Sequence, residues 1–163
     1  MYTHSFGTHR ALQAQPNEAH LLLAKLSVPK YLRIIASAAK TFHLITQNVD
    51  GLSVAAENSL DSQISGNQTH SDRVQGDSII QMHSSLFDVK CTHCGHTMQD
   101  HSNMLCPSLG AIDLLLNNYV DAGSKKMNIP VEDLLRCSLC GALARLGVVW
   151  FDEKPHELDK IKA

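Results

Sequence analysis

The sequence has almost no charge imbalance. Fourteen lysines and arginines stand against sixteen aspartates and glutamates, a formal net of −2 over 163 residues. That balance gives no basic face for a nucleic-acid backbone and no cationic patch for an anionic membrane, so neither partner is expected. Long apolar runs are missing too; none approaches the roughly 20 residues of a bilayer-crossing helix. Met1-Tyr2-Thr3-His4-Ser5 has no basic stretch leading into an apolar one and no Arg-rich amphipathic pattern, so neither a secretory nor a transit segment is expected. The expected setting is intracellular. There the five cysteines meet a reducing compartment, where thiols bind metal more often than they pair.

What remains is enough for one domain, or one domain with a small insert, at an apolar fraction of 44%. Gln15-Pro16-Asn17-Glu18 reads as a helix entry, and Ala19, Leu22, Leu23 and Leu26 recur on one helical face. A second helix is expected over 31–40, with Leu32, Ile35, Ala36 and Ala39 inward. Thr41 to Thr46 then reads as a short strand ending in Gln47, Asn48, Val49, Asp50 and Gly51. Helix, link, apolar strand and a polar cluster with glycine form an α/β pattern, in which ligands bind beyond the carboxyl ends of the strands. The same Asn-Val-Asp-Gly is also a plain turn sequence. A short helix is expected over 52–57. Residues 58–78 are rich in Ser, Asn, Gln and Asp, too polar to offset ordering entropy, and predict a flexible insertion. A small helix is expected around Leu109, Ile112, Leu116 and Tyr119, a loop at 123–126, a second apolar strand over Leu146–Phe151, and the start of a helix from Glu157.

Two features carry chemistry. Cys91, Cys94, Cys137 and Cys140 form two Cys-x2-Cys pairs separated by 42 residues. One turn presents two sulfurs to a metal, and two such turns complete a tetrahedron suited to Zn²⁺. Four thiolates leave no open position, so the ion would be structural. Two disulfides or redox pairs are the alternatives, which the lack of an export signal disfavours. Cys106 is left over and reads as a buried small residue. His93, His96 and His101 are surplus as ligands and read as solvated. His83 stands eight residues before the first pair, joined to it by Leu86–Val89, which reads as a strand. Its imidazole is suited to general-base work near neutral pH; a structural histidine is the plainer reading.

Taken together, Thr46-Gln47-Asn48-Val49-Asp50-Gly51-Leu52, Gln81-Met82-His83-Ser84-Ser85-Leu86, the two cysteine pairs and Val148-Val149-Trp150-Phe151-Asp152-Glu153 occur in an order that resembles the sirtuins, the NAD-dependent protein-lysine deacylases. The resemblance runs from about Pro16 to Glu153. Val-Val-Trp-Phe, Ile129-Pro130-Val131-Glu132 and Cys106-Pro107 resemble the class III branch, which includes desuccinylases and demalonylases. It implies that Gln47, Asn48 and Asp50 line the pocket for the nicotinamide and its ribose. It implies that His83 is the general base and that Val148, Val149, Trp150 and Phe151 hold the acyl-lysine of a protein substrate. NAD and one structural Zn²⁺ are the implied cofactors. The products would be deacylated lysine, nicotinamide and O-acyl-ADP-ribose, and a mitochondrial setting is compatible with the class III likeness.

The implied fold class is α/β: a partial Rossmann-like parallel sheet with an inserted small four-cysteine zinc-binding module. The expected division is 1–90 for the NAD-binding portion, 91–140 for the zinc-binding module and 141–163 for the return. The family's Gly-rich phosphate loop is expected before residue 1, and its final strands after residue 163. Within the match, the family's glycines give way to Ser84 and Asp152 and its proline to Leu146. The Tyr-x-x-Arg pair that reads an acidic acyl group falls at His4 and Gly7, which cannot make a bidentate contact. Such a chain would be a deacylase impaired by truncation. The alternative is a catalytically inactive, zinc-stabilised module that binds acyl-lysine peptide.

Overall fold

Asn17 caps the helix whose entry the sequence places at Gln15-Pro16-Asn17-Glu18. Its side chain accepts from the His20 N–H, while the His20 ring accepts from the Asn17 N–H. Two backbone donors that a helix end leaves unsatisfied are thereby paired. In the computed structural model, which describes residues 10–64, 73–102, 106 and 130–162, helix α1 spans Glu18–Leu26. Ser27 caps it, and Pro29, having no N–H to lose, opens α2 at Pro29–Ile35. Strand β1 follows at Leu44–Thr46, then α3 at Leu52–Ile64 and β2 at Ile79–Gln81. Strands β3 at Asp88–Cys91 and β4 at Thr97–Gln99 come next. A 3-10 turn at Val131–Asp133, β5 at Ala144–Leu146 and α4 at Leu158–Lys162 follow.

The chain divides into two compact units. One contains Ala14–Ser84 and Val149–Ala163; the other contains Met1–Gln13 and Ser85–Val148. In the first, β1 and β2 pair in parallel, with Leu44 opposite Ile79 and Thr46 opposite Gln81. Helix α3 connects these two strands, and α1 packs against it. Parallel strands need such a crossover, so the expected Rossmann-like sheet is present as a parallel pair. Its core holds Ala24, Val28, Leu32, Ala56 and Ile80. In the second unit, β3 lies between β4 and β5, antiparallel to both. Leu86, Phe87, Val89, Ala144 and Val148 are buried there with Cys91, Cys106 and Cys137.

Several expectations shift. Of the expected face of α1, Leu23 and Leu26 are half-buried as expected, but Ala19 and Leu22 are exposed, and the inward positions are completed by His20, Ala24 and Ser27. Leu22 is 56% exposed. Helix α2 stops at Ile35, where the Ala36 backbone leaves helical geometry (φ −137°), and Ile35 is exposed. Residues 58–64 continue α3, because Ser53, Ala56, Leu60 and Ile64 form a half-buried line along one face. Gln75, expected in the loop, is a tie point. Its side chain accepts from the Phe42 N–H and donates to the Lys40 carbonyl, and its own N–H donates to the Ser27 carbonyl.

Residues Leu86 and Phe87 are a turn and not strand. The Asp88 N–H returns to the Ser85 carbonyl, and the Ser85 N–H donates to the Asp88 carboxylate at 3.2 Å. The strand expected at Leu146–Phe151 sits earlier, at Ala144–Leu146, and pairs with β3. Gly147 then passes so close to Asp88 that a Cβ there would lie 2.7 Å from the Asp88 Cβ. The helix expected near Leu109–Tyr119 and the loop at 123–126 lie outside the described residues.

Candidate functional site

The cysteine unit builds its candidate metal centre from two matching turns. In each, a Cys-x2-Cys is followed by a glycine with φ of +71°, Gly95 in one and Gly141 in the other. In each, the first cysteine's N–H donates at 2.8 Å to the carbonyl five residues on, Cys91 to His96 and Cys137 to Ala142. The left-handed glycine lets the chain double back without a Cβ penalty, so both sulfurs of a pair face the same point. The Thr92 hydroxyl and N–H both donate to the Leu143 carbonyl, at 2.7 and 3.0 Å, tying the first turn to the start of β5.

The four sulfurs converge. Every pair lies within 4.8 Å, with Cys91 to Cys140 at 3.5 Å and Cys94 to Cys137 at 3.8 Å. A tetrahedron with Zn–S bonds of about 2.3 Å has edges of about 3.8 Å, so the donor set and spacing fit one Zn²⁺. The disulfide alternative is excluded, since all the cysteines are free thiols. Cys91 and Cys137 are buried, and Cys94 and Cys140 are exposed. The N–H groups of Cys94 and His93, each 3.3 Å from the Cys91 sulfur, lower its thiol to about 6. The Cys94 thiol is lowered by the His96 N–H but raised more by the Cys91 sulfur, by burial and by the sulfurs of Cys140 and Cys137, and ends at about 12. Crowded sulfurs resist carrying several negative charges, which is the condition a divalent cation relieves. His101 is not simply solvated: its ring stacks on Phe87 with centroids 4.6 Å apart. Cys106 is buried, as its sequence context suggests, with its thiol 3.2 Å from the Asp133 carbonyl.

The α/β unit brings a second group of residues to the carboxyl ends of its strands. Met82 N–H donates to the Thr46 carbonyl at 3.0 Å, extending the parallel pairing by one bond. Asn48 and His83 therefore each stand two residues past the paired ends, on neighbouring strands. Gln47 and Asn48 are exposed, and Asp50 and His83 are half-buried. Asp50 also starts α3, its Oδ1 accepting from the Leu52 N–H at 3.0 Å, after which Gly51 turns with φ of +74°. The turn reading and the ligand reading of this stretch are thus compatible: the Asx-type bond uses one carboxylate oxygen.

His83 lies in a tight turn closed by the Ser84 N–H on the Gln81 carbonyl at 2.9 Å. Ser84 occupies the left-handed region at φ 62°. The His83 carbonyl accepts from the Val149 N–H at 3.0 Å, and the Met82 carbonyl accepts from the His156 N–H at 2.8 Å. The segment expected to hold substrate thus divides. Val148 is buried in the cysteine unit, while Val149, Trp150 and Phe151 belong to the α/β unit. Two turn glycines, Gly95 and Gly141, have no role in the sequence reading although each directly follows a cysteine pair, and Glu153, which stands in the quoted motif without a role, accepts from the Trp150 N–H at 3.0 Å through its carboxylate.

The whole chain, residues 1–163, matches the model of the Sir2 family. It is 30% identical to an "NAD-dependent protein deacylase" of Candida albicans, over 92% of this chain and 49% of that protein. It is 29% identical to "NAD-dependent protein deacylase sirtuin-5, mitochondrial" of Danio rerio, over 85% of this chain and 37% of that protein. The chain thus spans half or less of the length of these curated relatives. Among solved structures, a Sir2 homolog–NAD complex superposes with a TM-score of 0.53 at 26% identity, covering 94% of this chain and 40% of that one.

Proposed function

This chain belongs to the Sir2 family, and on that premise we propose that it acts as an NAD-dependent protein-lysine deacylase. The observation that carries the reading is the parallel register of β1 and β2, with Thr46 opposite Gln81. It supports a site in which Gln47, Asn48 and Asp50 stand beside His83 at one end of the sheet, where ligands of such sheets bind. The donor set fits a nicotinamide and its ribose. Two exposed amides can pair with a carboxamide, and Asp50 keeps a carboxylate oxygen beyond its Leu52 bond for a hydroxyl. NAD, when bound, supplies the ribose carbon that accepts the acyl oxygen. His83 would accept a proton from a ribose hydroxyl, with its backbone held by the Val149 N–H. Val148, Val149, Trp150 and Phe151 would hold the acyl-lysine. The acyl group would end on ADP-ribose, with nicotinamide leaving and one water consumed to free the lysine amine, which would make the enzyme a transferase. A Zn²⁺ held by Cys91, Cys94, Cys137 and Cys140 would be structural, because four sulfurs would complete its coordination.

A second reading is a zinc-stabilised module that binds acyl-lysine peptide without turning it over. It is favoured by Ser84 at φ 62° directly after His83, a conformation that suits glycine better than serine. Incubating the chain with NAD and an acetyl-lysine peptide, and measuring nicotinamide by chromatography, separates the two. Release that disappears in His83→Ala supports the enzyme. Peptide binding without release supports the module, and neither binding nor release overturns both. The zebrafish relative is named as mitochondrial, and we extend that setting to this chain; its detection in mitochondrial rather than cytosolic fractions tests the extension.

A further inference from the structure

We propose that Glu153 is a positioning residue for acylated peptide, holding the Trp150–Asp152 turn in the conformation that receives it. The inference rests on the deacylase reading of the Val149–Phe151 segment. That segment is hung from the residues around the candidate base at two points: Val149 N–H on the His83 carbonyl at 3.0 Å, and His156 N–H on the Met82 carbonyl at 2.8 Å. Between these anchors the chain closes a four-residue turn, with the Glu153 N–H on the Trp150 carbonyl at 3.0 Å. Asp152, third in the turn, has φ of 74°, a left-handed value that glycine ordinarily supplies. The Glu153 side chain then returns to the Trp150 N–H at 3.0 Å. Glu153 therefore grips Trp150 twice, once through its backbone and once through its carboxylate.

What the grip holds is a turn with an exposed aromatic ring at its tip. Phe151 is 101% exposed and Trp150 is 43% exposed. A fully solvated aromatic ring at a turn tip gains nothing for folding and is available to a ligand. Asp152 works against the turn because it carries a Cβ in a conformation that disfavours one. A charge-assisted bond from Glu153 offsets that strain and fixes the direction in which Phe151 points. Fixing the turn before binding removes an ordering cost that peptide association would otherwise carry.

Trp150 is the chain's one tryptophan, so its emission reports on this turn without a label. The experiment uses the full, zinc-loaded chain as native protein, Glu153→Gln and Glu153→Ala. Fluorescence anisotropy is measured first, followed by titration with a short alanine-rich peptide carrying one Nε-acetyl-lysine. The expected result is lower anisotropy and about fivefold weaker peptide binding in Glu153→Ala, the scale of one lost hydrogen bond. Glu153→Gln, which keeps an acceptor, should stay near native in both. Where turnover is present, KM should rise with kcat unchanged, a split that general loss of structure would not give. Should Glu153→Ala lose its native circular dichroism, Glu153→Met keeps the volume without the acceptor and takes its place. Equal or tighter peptide binding by the variant overturns the proposal, whatever the anisotropy. Failure of the native chain itself to bind the peptide overturns the deacylase reading and this proposal with it, and the anisotropy still reports whether Glu153 holds the turn.

Discussion

The Val149 N–H donates to the His83 carbonyl at 3.0 Å. This bond joins the backbone of the candidate base to the segment expected to carry the substrate. It also places the strain of Ser84, at φ 62°, and of Asp152, at φ 74°, on either side of the same junction.

Relief of that strain should stabilise the α/β unit. A residue with a Cβ in the left-handed region costs on the order of 1 kcal/mol relative to glycine. Ser84→Gly and Asp152→Gly should each raise the urea midpoint by a corresponding amount, followed through Trp150 emission in the same unit. A lowered midpoint for Ser84→Gly would mean that the buried serine side chain contributes more through its contacts than its backbone costs.

Gly147 should tolerate no side chain. Its N–H meets the Asp88 carbonyl at 2.6 Å, and an added Cβ would lie 2.7 Å from the Asp88 Cβ and 3.3 Å from that carbonyl oxygen. Gly147→Ala must therefore push β5 and β3 apart where they end. A loss of about 1–3 kcal/mol is expected, in the range of other overpacking changes, read by thermal or urea unfolding of the zinc-loaded chain. Unchanged stability would contradict the close approach.

The four-sulfur centre should bind one Zn²⁺ per chain by elemental analysis, and a chelator should unfold the three-stranded sheet around it. Cys137→Ser removes a buried ligand and should abolish tight binding. Gly95→Ala and Gly141→Ala leave all four sulfurs in place but strain the turns at φ +71°. Each should weaken zinc affinity about fivefold, the equivalent of about 1 kcal/mol. Native affinity in both glycine variants would show that the turns can form without left-handed geometry.

How much of this was legible follows from the range of the interactions involved. The cysteine pairs, the Asn17 cap and the Asn48–Gly51 turn were readable because each is closed by residues a few positions apart. The buried face of α1 was not, since Leu21, Leu22 and Leu23 wrap most of the helix and only packing on α3 selects Leu23 and Ala24 over Leu22. Strand β4 was missed because Thr97-Met98-Gln99 has no strong strand pattern; it is a strand because Val89 and Lys90 pair with it. Strand β5 was placed too late because the apolar run Val148–Phe151 outweighs Ala144–Leu146 in sequence, while the partner β3 selects the latter. The polarity of residues 58–64 predicts a loop. The spacing of Ser53, Ala56, Leu60 and Ile64 carries the helical signal that a composition argument overlooks.

On the proposed reading, Gln47, Asn48, Asp50 and His83 form one pocket at the ends of β1 and β2. Titrating isotopically labelled chain with nicotinamide, and following the side-chain amides of Gln47 and Asn48 together with the His83 ring by NMR, tests it most directly. These resonances should shift together along one saturable curve, and His83→Ala should perturb the amide signals of Asn48. Shifts confined to other residues, or amides and ring responding on unrelated curves, would contradict it.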